Sequence, residues 1–475
     1  MTPYRALGPL CCLFVSCGGT EAITPPTASP CELVAAAPDT RAAFETLLAC
    51  TRLESGEAQR DMAMQALVQR VQAERGFPML HGDEVTFLYV AAPQWDVQDD
   101  RRTGESFDPT LRHGPITVVG PFNDWDLDTG LMMTEEPQGL FHLTVPLSAV
   151  QGRGYRFVAR NRAGNGIRFS DPLSRRFDYD SDGRRSLIKG EQALGHLEWV
   201  STLPAAALQR PRPLYVWVPP GYEQSAERYP VLYMHDGNNL FDRDQVQSSP
   251  GGTWDAHTVM SQQLERGHVR PAIIVGIPNS EARLDEYTHV VDERGSGPIG
   301  GDGDAYVDFL VDEVKPAVDA RFRTLPDKVH TGIMGSSLGG LISYYAGYRH
   351  PELFGFVGGM SSTFVWGRIG RDGPTVIDLY AELSDLPDRE QVFYMDSGGG
   401  PSPACPNGED NYCETVQMRD LLITKGIDRQ PADPDATPLP ADLNLFWYWS
   451  EGAQHNESSW RLRLHRPLRL FLPPQ

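Results

Sequence analysis

No run of about 18 to 20 apolar residues occurs anywhere in the chain, so the sequence contains no segment fit to cross a bilayer as a helix. Positive charge is scarce: 42 Lys and Arg stand against 63 Asp and Glu, a formal net charge of −21. That acidity is spread without a long acidic block. It favours a soluble surface and argues against electrostatic binding of nucleic acid or anionic lipid. Cysteine is sparse too, with seven in 475 residues, and Cys31, Cys50, Cys405 and Cys413 lack both C-x-x-C pairing and the nearby histidines of a structural zinc site. The length exceeds what one hydrophobic core usually organises, which predicts two or more domains.

The first residues carry a separate signal. Arg5 precedes the short apolar stretch Leu10-Cys-Cys-Leu-Phe-Val-Ser16 and then Cys17-Gly18-Gly19. The pattern resembles a bacterial lipoprotein signal over residues 1–17, with lipidation at Cys17; an ordinary secretory signal or a mistranslated start is the alternative. Gly18 after the lipidated cysteine implies, by the same resemblance, the outer membrane. Setting aside Cys11, Cys12 and Cys17 leaves an even number of cysteines, which suits two disulfides in an oxidising compartment. Three connectivities are possible; the local one joins Cys31 to Cys50 and Cys405 to Cys413. Residues 18–30, rich in Thr and Pro, read as a tether.

Beyond the tether the pattern changes twice. Residues 31–78 read as helical, with Met64, Leu67, Val68 and Val71 at i, i+3, i+4 and i+7 and a stop at Gly76 and Pro78. Residues 79–190 show short strands between turn signals, the spacing of an all-β sandwich. Val118-Val-Gly-Pro-Phe-Asn-Asp-Trp125, with Tyr155-Arg-Phe157 and Asp171-Pro172, resembles the early-set, immunoglobulin-like sandwiches related to glycogen-binding modules. The resemblance implies either a sugar platform or a packing role for Trp125, and packing is the preferred reading. Asp178-Tyr-Asp-Ser-Asp182-Gly183 mimics the start of a calcium loop, but Lys189 stands twelfth, where a bidentate Glu is required, so a polar turn is expected. Residues 195–475 alternate apolar runs of strand length, among them Leu214–Val218, Val231–His235, Val329–Met334, Val392–Asp396 and Leu445–Trp449, with amphipathic stretches. This predicts an α/β domain with a mostly parallel sheet covered on both faces.

Within that domain Gly335-Ser-Ser337-Leu-Gly339 has the G-x-S-x-G spacing of a nucleophile elbow, between an apolar strand and a helix start. A serine hydroxyl needs a base, and the base an acid that holds its tautomer. His455, in the loop after the last predicted strand, is the expected base; His465 lies beyond it in a basic helix-like segment. The acid should follow the strand Val392–Asp396. Asp396, Glu409, Asp410 and Glu414 all qualify, with Asp410 preferred because a Cys405–Cys413 bridge would brace its loop. The backbone N–H of Leu338 and a donor from Gly237 or Asn238 are the expected oxyanion hole. His235 and Asp236 precede the serine and are read as shaping that loop.

Tyr229-Pro-Val-Leu-Tyr-Met-His-Asp-Gly-Asn-Asn-Leu-Phe-Asp242, Arg283-Leu-Asp-Glu-Tyr-Thr288, Gly335-Ser-Ser-Leu-Gly-Gly340 and Gly452-Ala-Gln-His-Asn-Glu457, in that order, resemble the esterases related to esterase D, enterobactin esterases and feruloyl esterases. The resemblance implies an α/β-hydrolase fold, a preceding β-sandwich, Ser337, Asp410 and His455 as catalytic triad, no metal or organic cofactor, and a small-molecule or carbohydrate ester as substrate. A membrane would be met through the lipid anchor only, and nucleic acid is not an expected partner. Two rival readings stand beside a general ester hydrolase. One is cleavage of a siderophore trilactone, for which Arg283 and Arg368 are the available cations; the other is a non-catalytic carbohydrate-binding envelope protein on a hydrolase scaffold.

Overall fold

A computed structural model describes residues 29–474 apart from 54–55, 75, 92–96, 99–105, 108–112, 192, 242–251, 296, 385–389 and 401–408. Cys17 and Cys405 lie outside the described residues. The chain forms two compact units, Met1–Leu67 and Val68–Gln475. No helix among the described residues is long and apolar enough to cross a membrane.

In the first unit, helices α1 (Pro30–Leu33) and α2 (Thr40–Thr51) both start on side-chain caps. Ser29 and Glu32 satisfy each other's backbone N–H groups in a capping box, and Asp39 accepts from Ala42 N at 2.8 Å. The Cys31–Cys50 disulfide joins the two helices across a separation of 19 residues. By loop-closure entropy a ring of that length is worth about 3 kcal/mol. Helix α3 (Glu57–Glu74) buries Ala63, Leu67 and Val71, while Met64 and Val68 are only half-buried. Leu67 and Val71 of the predicted stripe are thus buried as expected, with Ala63 beside them.

The second unit begins with β1 (Met79–His81), β2 (Glu84–Val90), β3 (His113–Val119), β4 (Leu131–Met132), β5 (Thr134–Glu136), β6 (Leu140–Pro146), β7 (Gly154–Arg160), β8 (Gly166–Phe169), β9 (Arg176–Asp180) and β10 (Gly183–Leu187). It continues with β11 (His196–Leu203), β12 (Arg212–Val218), β13 (Val231–His235), β14 (Ile273–Ile277), β15 (Thr331–Ser336), β16 (Phe356–Met360), β17 (Val392–Ser397) and β18 (Leu445–Trp449). Strands β1-β2-β6-β5 form a four-stranded antiparallel sheet. Alternate residues Val85, Phe87 and Tyr89 of β2 pack with Ile116 and Val118 of β3 and Tyr155 and Phe157 of β7, so this sheet and the β3–β7 pair share one apolar cluster.

Fourteen strands form one continuous sheet, ordered β18-β17-β16-β15-β13-β14-β12-β11-β9-β10-β7-β3-β4 with β8 paired to β7. Only β13 to β18 run parallel; β12 meets β14 antiparallel and hands the ladder to β11, β9 and beyond. The fourteen-stranded sheet as a whole is thus mixed, while within residues 195–475 five of its seven pairings are parallel, in line with the sequence expectation for that domain; what the sequence did not show is the antiparallel continuation into the strands before residue 195. The link is the β11–β12 pair, whose first strand, His196-Leu-Glu-Trp-Val-Ser-Thr-Leu203, is too polar to read as a sheet interior.

After α3 come helices α4 (Ala256–Glu265), α5 (Arg283–Glu286), α6 (Gly303–Phe309), α7 (Lys315–Arg321), α8 (Leu338–Arg349), α9 (Val376–Glu382), α10 (Tyr412–Thr424), α11 (Glu457–Arg463) and α12 (His465–Phe471). Side chains alternate between two cores. Val231 and Tyr233 of β13, Ile273 and Val275 of β14, and Phe393 and Met395 of β17 face one cluster with Leu341 and Ile342 of α8. Leu232, Met234, Ile274 and Tyr394 face the other, with residues of α4 (Ala256–Glu265), α11 (Glu457–Arg463) and α12 (His465–Phe471). Covered on both faces, the parallel strands leave their C-terminal ends as the place where loops meet, the usual location for a site in an α/β sheet.

Candidate active site

Ser337 occupies the turn between β15 and α8 with φ 55° and ψ −122°, a strained backbone for a residue with a Cβ. The turn closes because Gly335 has no side chain: a Cβ there would lie 2.7 Å from the carbonyl carbon of Gly339. The segment after β16 clamps it. Ser337 N donates to Met360 O at 2.9 Å, and Thr363 N donates to Ser337 O at 3.2 Å. The Ser337 hydroxyl has Thr363 Oγ1 as its hydrogen-bond partner, at 3.4 Å, and that oxygen also accepts from Asn411 Nδ2 at 3.3 Å.

Asp410 and His455 are brought together: His455 Nδ1 lies 2.6 Å from Asp410 Oδ1. The Asp410 side chain is 3% exposed and the histidine 39%, so the acid is enclosed while the ring reaches solvent. Trp460 stands edge-on to the ring, centroids 5.1 Å apart. Oδ2 of Asp410 accepts from the Gly398 N–H and from Ser361 Oγ at 2.7 Å. The direction of that last bond is forced. Ser361 Oγ also contacts Trp460 Nε1 at 3.0 Å and Arg463 Nη2 at 3.1 Å, and both of these groups only donate. With its lone pairs taken, the hydroxyl must give its single proton to Asp410. Ser361 sits at φ 47°, again outside ordinary L-residue backbone.

The other candidate acids have different employment. Asp396 is fully buried in a bidentate pair with Arg463 (3.1 and 3.0 Å) and takes the Tyr394 hydroxyl at 2.8 Å. Burial pushes its carboxyl up, and the Arg463 fork pulls it back. Glu414, on α10 (Tyr412–Thr424), accepts the Val365 N–H, and burial raises it to about 8. Glu409 opens the turn Glu409–Asn411 that carries Asp410. Cys413 is disulfide-bonded.

The predicted oxyanion donors lie on two turns beside the serine. Leu338 is the first residue of α8, where a helical N–H has no partner in its own helix. Gly237 and Asn238 form the turn after β13; a Cβ on Gly237 would lie 2.5 Å from Gly276, so the turn is pressed onto β14. Asn238 Nδ2 donates to Asn279 Oδ1 at 3.2 Å. Asp236 takes the Arg283 fork at 2.6 and 2.8 Å, and His235 bonds Tyr306 through Nδ1 at 2.9 Å while burial pushes it down to about 3. These two residues build the loop and are not paired with each other.

Ser361, Thr363, Asn411, Trp460 and Arg463 were not singled out from sequence. Trp460 and Arg463 sit three apart on the helix after His455, the one local hint that they share a face. Elsewhere, Asp178, Asp180 and Asp182 of the calcium-like run are held by Arg153 and Arg185, by Arg156, and by Arg168 respectively. Trp125 is half-buried with the Arg156 guanidinium 5.1 Å from its ring centroid. His196, Glu198 and Glu223 approach closely enough to ligate a cation, but Arg175 and Arg176 already pair with the two carboxylates.

Residues 205–466, more than half of the chain, match the family model described as "Putative esterase". Among curated proteins, an uncharacterized Bacillus subtilis protein, YbbA, is 26% identical over 153 residues, 31% of this chain and 56% of that protein. An endo-1,4-beta-xylanase/feruloyl esterase of Xylanibacter ruminicola is 29% identical over 186 residues, 37% of this chain and 23% of that protein. The chain thus spans little more than half of the first and about a quarter of the second. Among solved structures, the enterobactin esterase FES of Shigella flexneri is 16% identical with a TM-score of 0.42, covering 83% of this chain and 94% of that one.

Two outcomes separate the carboxylates. Asp410→Asn should lower turnover by orders of magnitude with little loss of melting temperature. Asp396→Asn breaks a buried ion pair and should destabilise by about 3 to 5 kcal/mol, read by denaturant unfolding. Glu414 gives a pH signature. Its folded pKa is raised, so the native state holds a proton that the unfolded state has released; this group's contribution to stability is lost as pH rises from the unfolded value, about 4.3, to about 8, and is constant outside that window. Glu414→Gln keeps the acceptor for Val365 N–H and should remove this decline in unfolding measurements across the same window.

Proposed function

The chain belongs to the esterase family, and from that premise we propose that it hydrolyses a carboxylic ester with Ser337 as nucleophile, His455 as base and Asp410 as the acid that orients it. The observation that carries this reading is the 2.6 Å bond between His455 Nδ1 and the enclosed Asp410 carboxylate, beside a serine on a strained strand-to-helix turn. The acid holds Nδ1 protonated and leaves Nε2 as the base. Ser337 Oγ attacks the ester carbonyl carbon and its proton passes to Nε2. The oxyanion is received by the Leu338 N–H and a donor of the Gly237–Asn238 turn. His455 then protonates the departing alkoxide, leaving an acyl-serine. Water, deprotonated by His455, attacks that ester; the acid leaves and Ser337 regains its proton. Ser337 and His455 share no hydrogen bond in this structure, so the base closes on the hydroxyl when substrate is bound, as is common for catalytic pairs seen without ligand.

The proposed substrate is a carbohydrate-linked or small aryl or acyl ester. An acidic siderophore finds less support, because Arg283 is committed to Asp236 and Arg368 pairs with Asp378 at 3.1 Å. The fold class proposed for residues 79–190 remains an early-set-like sandwich, supported by the four-stranded antiparallel sheet and the antiparallel end of the fourteen-stranded sheet, which share one cluster. Export is supported by the Cys31–Cys50 disulfide, and anchoring at Cys17 of an outer-membrane lipoprotein is the proposed route.

Ser337→Ala and His455→Ala should each reduce hydrolysis of a panel of acetyl, feruloyl, long-chain acyl and catecholate-lactone esters by several orders of magnitude with the fold intact, as triad members act as a unit. Near-normal rates in either variant would refute the assignment. Cys17→Ser should block processing or release the protein from the detergent phase; wild-type protein recovered in the cytosol with Met1 intact would contradict the anchor.

A further inference from the structure

Ser337 follows the C-terminal end of β15. At the opposite, N-terminal ends of the same strands lies a cavity of about 200 Å³. Phe356, the first residue of β16, Leu443, shortly before β18, and Phe471 of α12 give it apolar walls. Among the described residues, Lys328, in the turn that leads into β15, together with Arg270 and Arg469, gives it three cations, against one lining carboxylate, Glu390. The six residues of β15, at about 3.3 Å each, put roughly 20 Å between this cavity and the serine.

The charge balance here is the reverse of the chain's. Arg270 Nε is buried and has no hydrogen-bond partner among the described residues. The carboxylate that acts on it, Asp327, is itself bonded to His330 at 2.8 Å. Arg469 is held by groups that bring no negative charge, Gln263 Oε1 at 2.9 Å and His268 Nδ1 at 3.0 Å, while Arg466 and Arg266 add to the positive field around it and Asp435 opposes them. Burial presses Arg270, Lys328 and Arg469 all below their usual values, each only partly relieved by a nearby carboxylate. A half-buried guanidinium with an unused donor beside apolar walls matches an anionic head joined to an apolar body. Guanidinium favours a planar carboxylate, which it can grip through two donors.

We infer that this cavity is a second binding site, for a small amphipathic monocarboxylate whose head pairs with Arg270 and Arg469 and whose apolar body lies on Phe356, Leu443 and Phe471. The site stands apart from the ester-cleaving reading, since it shares no residue with Ser337, Asp410 or His455.

The test uses the full chain carrying Ser337→Ala, so that no probe is turned over, with 3-phenylpropionate and its neutral amide titrated calorimetrically. The carboxylate should bind with one equivalent per chain and the amide at least about tenfold more weakly. Arg270→Gln combined with Arg469→Gln should weaken the carboxylate at least about tenfold. Leu443→Trp, which fills the cavity and leaves both arginines in place, should abolish binding and guards against the double variant failing to fold. No binding at about 10 mM, equal binding of the amide, or full binding by Leu443→Trp would each overturn the inference.

Discussion

On the proposed reading, the Ser337 end of this molecule depends on one charge-assisted hydrogen bond, from His455 Nδ1 to Asp410 Oδ1. A carboxylate that enclosed is costly unless its remaining lone pairs are met, and they are: by the Gly398 N–H and by a serine hydroxyl with no other place for its proton. Ser361 has that property only because Trp460 and Arg463, both on the helix that follows His455, fill its acceptor positions. The helix that follows the proposed base therefore also sets the direction of the bond that steadies the proposed acid. Arg463 in turn is fixed by Asp396 at the end of β17, so the network is anchored in the sheet and not in the loops.

How much of this was legible in sequence follows from how local each feature is. The elbow was readable because Gly335 and Ser337 enforce their turn over five residues, and His455 because it is the histidine in the loop after the last strand. The acid was less so. Asp396, Glu409, Asp410 and Glu414 crowd one stretch of chain, and what separates them is a partner from far away: Arg463 for Asp396, Ser361 and His455 for Asp410, the Val365 N–H for Glu414. Ser361 itself looks like any polar loop residue. In the sheet, β16 escaped notice because Phe356-Val-Gly-Gly-Met360 spends two of its five positions on glycine. The continuity from β14 through β12 and β11 to β9 is a matter of strand pairing across distant segments, which no periodicity records.

Cations are also partitioned by end. Near the serine, Arg283 and Arg463 are spent on Asp236 and Asp396, where they hold loop and network in place. At the other ends of the parallel strands Arg270 and Arg469 face apolar surface with little to neutralise them. On the two proposals, a neutral ester is matched to the first environment and an acid to the second, at opposite ends of the parallel strands.

The most direct test of the central claim is covalent labelling with a fluorophosphonate followed by mass spectrometry of the peptides. A single adduct on Ser337, lost or slowed by orders of magnitude in His455→Ala, is the result this account predicts. An adduct on another residue, or labelling of Ser337 at the same rate without His455, would contradict it.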